Sequence, residues 1–217
     1  MVIGIEYVCT GNNGRSPMAE AIAKDYVARF EINDVIVSSS GSRLHPMFAQ
    51  QDQNDLDGGI EIVRTAWENG LYRGRMEQFA AGLLRAEDEL RKPGADFAGL
   101  DRCIEYAAKA EAIFRNVSLL KRGLFADGEY QKPAIHNSSA DIVIAMGSSN
   151  AKDVGLIANR MGVAPRIVLL NEYAGLEGSV PDAFCKRQDA YDATCLHLLV
   201  AVPKTIKRAL DELKDRR

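Results

Sequence analysis

An apolar strand that runs directly into a glycine- and asparagine-rich loop, and then into a helix, constrains this fold more than any other feature of the sequence. Residues 2–9 are dominated by valine and isoleucine and read as a buried strand. Thr10-Gly11-Asn12-Asn13-Gly14 follow as a loop. Arg15-Ser16-Pro17 then opens a helix expected to reach about residue 30. Pro17 falls in the first turn, where a missing N–H costs little, and Ala19, Ala21, Ile22, Ala23 and Tyr26 supply apolar faces. The alternation continues: a short strand at 35–39 closed by Ser40-Gly41-Ser42, a strand at 141–146, a helix at 149–161 and a strand at 166–171. From about residue 187 the chain reads as helical, with Pro203 expected to kink or split it. Apolar strands alternating with helices imply an α/β fold, a four-stranded parallel sheet flanked by helices with right-handed crossovers.

Between the second and third strands the pattern changes. Residues 45–59 are rich in Gln, Asp and Gly and read as a loop. Two helical stretches follow, one carrying Met76, Phe79, Ala80, Leu83 and Leu90, the other Phe97, Leu100, Ile104, Ala107 and Ala108, separated by Pro93-Gly94. The expected division is therefore a core of residues 1–49 and 136–217 and an all-helical insertion of residues 50–135. The 217 residues agree with this, at roughly 1.4 domains of ordinary size. Trp67, Tyr72, Arg73 and Arg75 read as a core stripe with a solvated face, or else as a border to an active-site mouth; a homodimer surface is a further reading of the insertion.

Charge excludes some functions. With 27 Lys and Arg against 30 Asp and Glu, no bulk nucleic-acid binding is expected. No apolar run approaches the roughly 18–20 residues of a membrane span, and the first residues lack a signal-peptide pattern, so a cytoplasmic location without membrane partners is expected. Cys9, Cys103, Cys185 and Cys195 form no CxxC, and His45, His136 and His197 complete no zinc spacing. Neither a metal nor a cofactor is expected.

The first turn carries the chemistry. Its backbone N–H groups can curl inward as an anion nest, and the helix N-terminus adds its positive end. Thr10, Gly11, Asn12, Asn13, Gly14, Arg15 and Ser16 thus form a candidate phosphate-binding loop, with Arg15 able to grip an oxyanion bidentately. Cys9, at the strand end, lies in a positive field that favours its thiolate, and Ser16 can donate a hydrogen bond to it. Neither a Walker A motif nor GxGxxG is present at this turn. The plainer reading of Cys9 is a buried strand-end cysteine. Loops at the carboxyl ends of parallel strands converge on one site. The loop after the fourth strand offers Asp182 as a proton donor, or as an ordinary solvated aspartate.

These residues resemble the low-molecular-weight protein tyrosine phosphatases. Val8 to Glu20 matches that family's V-C-x-G-N-x-C-R-S-P-x-A-E except at Gly14. Ser39-Ser40-Gly41-Ser42 is similar to its S-A-G-T, residues 140–146 to its A-D-x-I-x-x-M, and Asp182-Ala183-Phe184 to its late D-P-Y. The likeness covers both ends of the chain and none of the insertion. It implies that Cys9 is the nucleophile, Arg15 the phosphate-binding arginine, Ser16 the support of the thiolate, Asn12 the brace of the loop and Asp182 the general acid. Phe184 would form an aromatic wall beside the substrate. The implied activity is cysteine-dependent hydrolysis of a phosphomonoester through a phosphocysteine, on a phosphotyrosine protein or a small aryl phosphate. Gly14 replaces a second cysteine of the family and excludes its protective disulfide; Cys185 is a candidate substitute or an inert thiol. Gly147 replaces an acidic residue, a loss expected to loosen the hold on Arg15. Arsenate reduction, and a non-catalytic phosphate- or phosphopeptide-binding module, are the alternatives.

Overall fold

A computed structural model describes residues 2–48, 55–126, 132–134 and 140–214. His136 lies outside them. Strand β1 (Ile3–Cys9) leads into α1 (Arg15–Arg29) and β2 (Val35–Gly41). Two short 3₁₀ turns, Ser42–Leu44 and Pro46–Phe48, follow. The long connection holds α2 (Leu56–Glu68), α3 (Arg75–Arg85), α4 (Glu87–Leu90) and α5 (Ala98–Leu120). Then come β3 (Ile142–Ala145), α6 (Ser148–Met161), β4 (Arg166–Leu169), the single turn α7 (Leu170–Tyr173) and α8 (Gln188–Lys214).

The sheet has four parallel strands in the order β2-β1-β3-β4. Register puts Cys9 opposite Gly41 and Val8 opposite Ala145, so the loops after β1, β2 and β3 emerge at one edge. Because β1 is central and covered on both faces, six of its seven residues are buried, which is why it reads as a continuous apolar run. Residues 16–23 of α1 are likewise all buried, under the sheet and α8.

Three sequence expectations are corrected. Helix α8 continues through Pro203. Leu198, Ala201, Val202 and Ile206 are fully buried against the main core, and that burial outweighs the roughly 3 kcal/mol a helical proline costs. Strand β4 stops at Leu169, because Leu170 and Tyr173 turn into the core and Asn171 bonds the carbonyls of Glu177 and Gly178. The connection also contains a further helix, α2, which begins inside the 45–59 stretch expected as loop. Asp55 caps α2 by accepting from Gly58 N at 2.9 Å, and Ile60, Val63 and Ala66 face inward.

The helices of the connection build a second core around Ile60, Val63, Tyr72, Leu100, Cys103 and Ala107. Tyr72 belongs to it, donating to Cys103 O at 3.0 Å, while Trp67 is half exposed. Helix α5 joins both cores. Leu100, Cys103 and Ala107 sit in the second, Leu119 in the main one, and Ser118 and Lys121 bind Asp192 of α8 at 2.7 and 2.6 Å. Among the described residues no helix is long and apolar enough to cross a membrane.

Candidate active site

The loop at residues 10–14 holds its shape through side chains from three elements. Asn12 adopts a left-handed backbone (φ 51°), a conformation asparagine tolerates better than most residues. Its buried amide donates to Ser16 Oγ at 3.1 Å and Ser39 Oγ at 2.9 Å, and its oxygen accepts from Lys132 N at 3.1 Å. Ser39 in turn donates to Glu20 Oε2 at 2.6 Å, so α1 and β2 brace the loop together. Gly41 is required by close approach, since a Cβ there would stand 2.7 Å from Thr10 O. Thr10 Oγ1 accepts from the buried Asn150 at 3.1 Å.

Cys9 Sγ lies 3.0 Å from Ser16 Oγ, which is also 3.1 Å from Ser40 O. The hydroxyl has one proton and two acceptors. With a neutral thiol it serves Ser40 O; with a thiolate it can rotate to the sulfur. Helix α1 begins at this point without a side-chain cap, leaving the free N–H groups that suit an anion. Arg15 is largely buried and pairs with Asp182, Nη2 to Oδ2 at 2.7 Å, while the Asp182 side chain is half exposed. The structure thus brings Cys9, the whole loop, Arg15, Ser16 and Asp182 together. Despite Gly147, Arg15 has a direct carboxylate partner in Asp182.

Phe184 lies on the same loop as Asp182. Its N–H donates to Asp182 Oδ1 at 3.1 Å, and its partly buried side chain packs against the second core. Arg187 Nε donates to Asn69 O at 3.0 Å, so the helical connection holds the Asp182 loop on its C-terminal side. Burial pushes the Cys185 thiol up to about 12.

Helix α5 supplies site residues that the sequence reading passed over. Arg115 Nη1 donates to Asn13 O at 2.6 Å. Glu111 is buried beside Gly14, and a Cβ at Gly14 would meet Glu111 Oε1 at 2.3 Å. The glycine that replaces the family's second cysteine therefore makes room for this carboxyl. Burial first, and Asp182 second, raise Glu111 from 4.5 to about 7, with Arg15 and Arg115 pulling it back. The local signal for these residues was absent, because a helix face with Glu and Arg one turn apart reads as solvated surface. Two adjoining clefts flank the loop. One of about 790 Å³ runs from Thr10 and Arg43 to Leu56 and Leu100, the other of about 500 Å³ from Asn13 to Asp101, Glu105 and Lys109.

Burying Glu111 has a measurable cost. Unfolded, its carboxyl ionises near 4.5; folded, near 7. Between these values the folded state holds more protons, so stability falls as pH rises, by about 3 kcal/mol in total. Urea unfolding at about pH 5 and about pH 8 measures this. Glu111→Gln is expected to remove most of the decline, and an unchanged decline in the variant would refute the assignment.

A parallel sheet with Cys-x5-Arg at the carboxyl end of its first strand defines a class, α/β proteins that present a cysteine and an arginine to an oxyanion. The family model described as low molecular weight phosphotyrosine protein phosphatase matches residues 4–54. Among solved structures, a mutant of YwlE from Bacillus subtilis is 22% identical, with 95% of this chain and 98% of that chain covered and a TM-score of 0.57. The low molecular weight protein tyrosine phosphatase from T. tengcongensis is 22% identical, with 95% and 99% covered and a TM-score of 0.55. The Drosophila arginine phosphatase DARP is 19% identical, with 94% and 96% covered and a TM-score of 0.56. The search of curated proteins gave no match. The family model thus covers the first strand, the loop, the first helix and the second strand, and the solved structures share the fold over nearly the whole chain.

Proposed function

We propose that this protein is a cysteine-dependent phosphomonoester hydrolase that works through a phosphocysteine on phosphotyrosine proteins or small aryl phosphates. The observation that carries this reading is the Cys9–Ser16 contact of 3.0 Å at the start of an uncapped helix whose Arg15 is paired with Asp182. In the first step the Cys9 thiolate attacks phosphorus and the ester P–O bond breaks. Arg15 and the loop N–H groups hold the phosphoryl oxygens, and Asp182 gives its proton to the leaving oxygen. In the second, Asp182 takes a proton from water, which attacks phosphorus, and the S–P bond breaks to release phosphate and the thiolate.

The other thiols argue against an arsenate-reducing relay. Cys103, Cys185 and Cys195 are buried, and burial holds each above the ordinary thiol range. The intact set of Cys9, Arg15 and Asp182 argues against a purely binding role.

Phosphoarginine is a second substrate reading, and one feature favours it. The cleft beside Asn13 carries Asp101, together with Glu105 paired to Lys109 at 2.6 Å, an acidic excess of one that suits a cationic guanidinium. DARP and YwlE are described as arginine phosphatases. Turnover of matched phosphotyrosyl, phosphoseryl and phosphoarginyl peptides separates the readings. A phosphotyrosyl peptide is expected to exceed the phosphoseryl one by at least about 10-fold in kcat/KM. A phosphoarginyl peptide turned over faster than both would transfer the assignment to arginine, and release of phosphate from none of them would overturn the activity.

A further inference from the structure

Glu111 is a buried carboxyl beside the phosphate loop for which the mechanism above has no role. Two geometric observations tie it to the site. Gly14 and the carboxyl fit as a pair, since a Cβ at Gly14 would stand 2.3 Å from Oε1. One turn further along α5, Arg115 donates to Asn13 O at 2.6 Å, which fixes the helix on the loop. The ionisable groups facing Glu111 come from each surrounding element: Arg15 at the start of α1, Asp182 and Cys185 on the acid loop, Arg115 on α5 and Tyr191 on α8. The Tyr191 hydroxyl is buried and faces this carboxyl.

We propose that Glu111 is a positioning residue of the phosphate site, its charge setting how readily Arg15 exchanges Asp182 for a phosphate dianion. The proposal rests on the phosphatase reading of the same loop. With Glu111 ionised, the two arginines Arg15 and Arg115 face two carboxylates and the cluster is neutral. With Glu111 protonated the cluster carries one net positive charge, and an incoming dianion gains from it. The exchange falls in an ordinary working range because Glu111 holds its proton to about 7. Linkage makes the effect reciprocal: bound phosphate strengthens the hold of Glu111 on its proton, so binding above that pH draws a proton from solution. The helical connection thereby places a pH-responsive charge beside the loop.

Calorimetric binding of inorganic phosphate to the wild type, Glu111→Gln and Glu111→Asp, at about pH 5.5 and about pH 8.5, tests this. Ratios between proteins cancel the ligand's own titration. At the lower pH the wild type and Glu111→Gln should agree within about twofold, and at the higher pH the wild type should bind about 5- to 10-fold more weakly. Glu111→Asp should keep the pH dependence of the wild type. In turnover, the same ratio should appear in KM rather than in kcat. A wild-type to Gln ratio equal at both pH values overturns the proposal, as does wild-type protein that binds no phosphate at either. Failure of the wild type to release phosphate from aryl phosphate and from phosphoarginyl peptide alike would overturn the phosphatase reading alone, because the binding arm needs no turnover.

Discussion

Replacing Cys9 with serine is expected to abolish hydrolysis of an aryl phosphate, by about 10⁴-fold or more, while phosphate binding stays within a few-fold of wild type. The two effects separate because the loop's shape does not depend on the sulfur. Asn12 is held by Ser16, Ser39 and Lys132, Thr10 by Asn150 and Asn13 by Arg115. Arg15 and the start of α1 supply the anion site, and both remain. What disappears is the sulfur nucleophile. A serine hydroxyl at the same place needs a base to activate it, and Ser16, 3.0 Å from the sulfur, is itself a hydroxyl. Steady-state turnover of a generic aryl phosphate, beside calorimetric binding of phosphate, measures both. Full activity in the serine variant would remove Cys9 from the mechanism, and loss of binding together with activity would mean that the substitution had disturbed the loop.

The parts of this site legible in the sequence are those whose geometry is local. Cys9, the five-residue loop and Arg15 are joined by one strand, one turn and one helix start, so the residue order already implies their proximity. The serines after β2 were legible as a motif, yet their use was not. That Ser39 links Asn12 to Glu20, and that Gly41 is small because Thr10 O lies against it, depend on the parallel register of β1 and β2. Asp182 was legible only by likeness, since a loop aspartate has no periodic signal. Glu111 and Arg115 were hidden for a different reason. They reach the site through the docking of α5 on α8 and on the loop at Asn13, a tertiary choice that no local pattern records. Gly58 and Gly59 concealed α2, because glycine lowers helix propensity while the apolar spacing of Ile60, Val63 and Ala66 still buries one face. Pro203 misled in the opposite direction, as packing held α8 through a residue that would break an isolated helix.

Asp182→Asn is expected to lower kcat by about 10²- to 10⁴-fold on phenyl phosphate, whose leaving group needs a proton, and far less on an aryl phosphate whose leaving group departs unaided. Asparagine fills the same space but cannot supply the proton. The substitution also releases Arg15 from its 2.7 Å ion pair, so the substrate phosphate no longer competes with a carboxylate for the guanidinium. KM should therefore fall even as kcat falls, a combination that simple damage to the site would not produce. The exposure of Asp182 bears on this role. Its side chain is half exposed, so both the leaving oxygen and the attacking water can reach it, whereas Glu111 is buried. In the proposed mechanism the two carboxyls divide the work by environment. The exposed one would meet the leaving group and then water, and the buried one would set the charge that Arg15 experiences. Equal losses on good and poor leaving groups would take the acid role from Asp182. A rise in KM would mean that the ion pair with Arg15 assists substrate binding rather than opposing it.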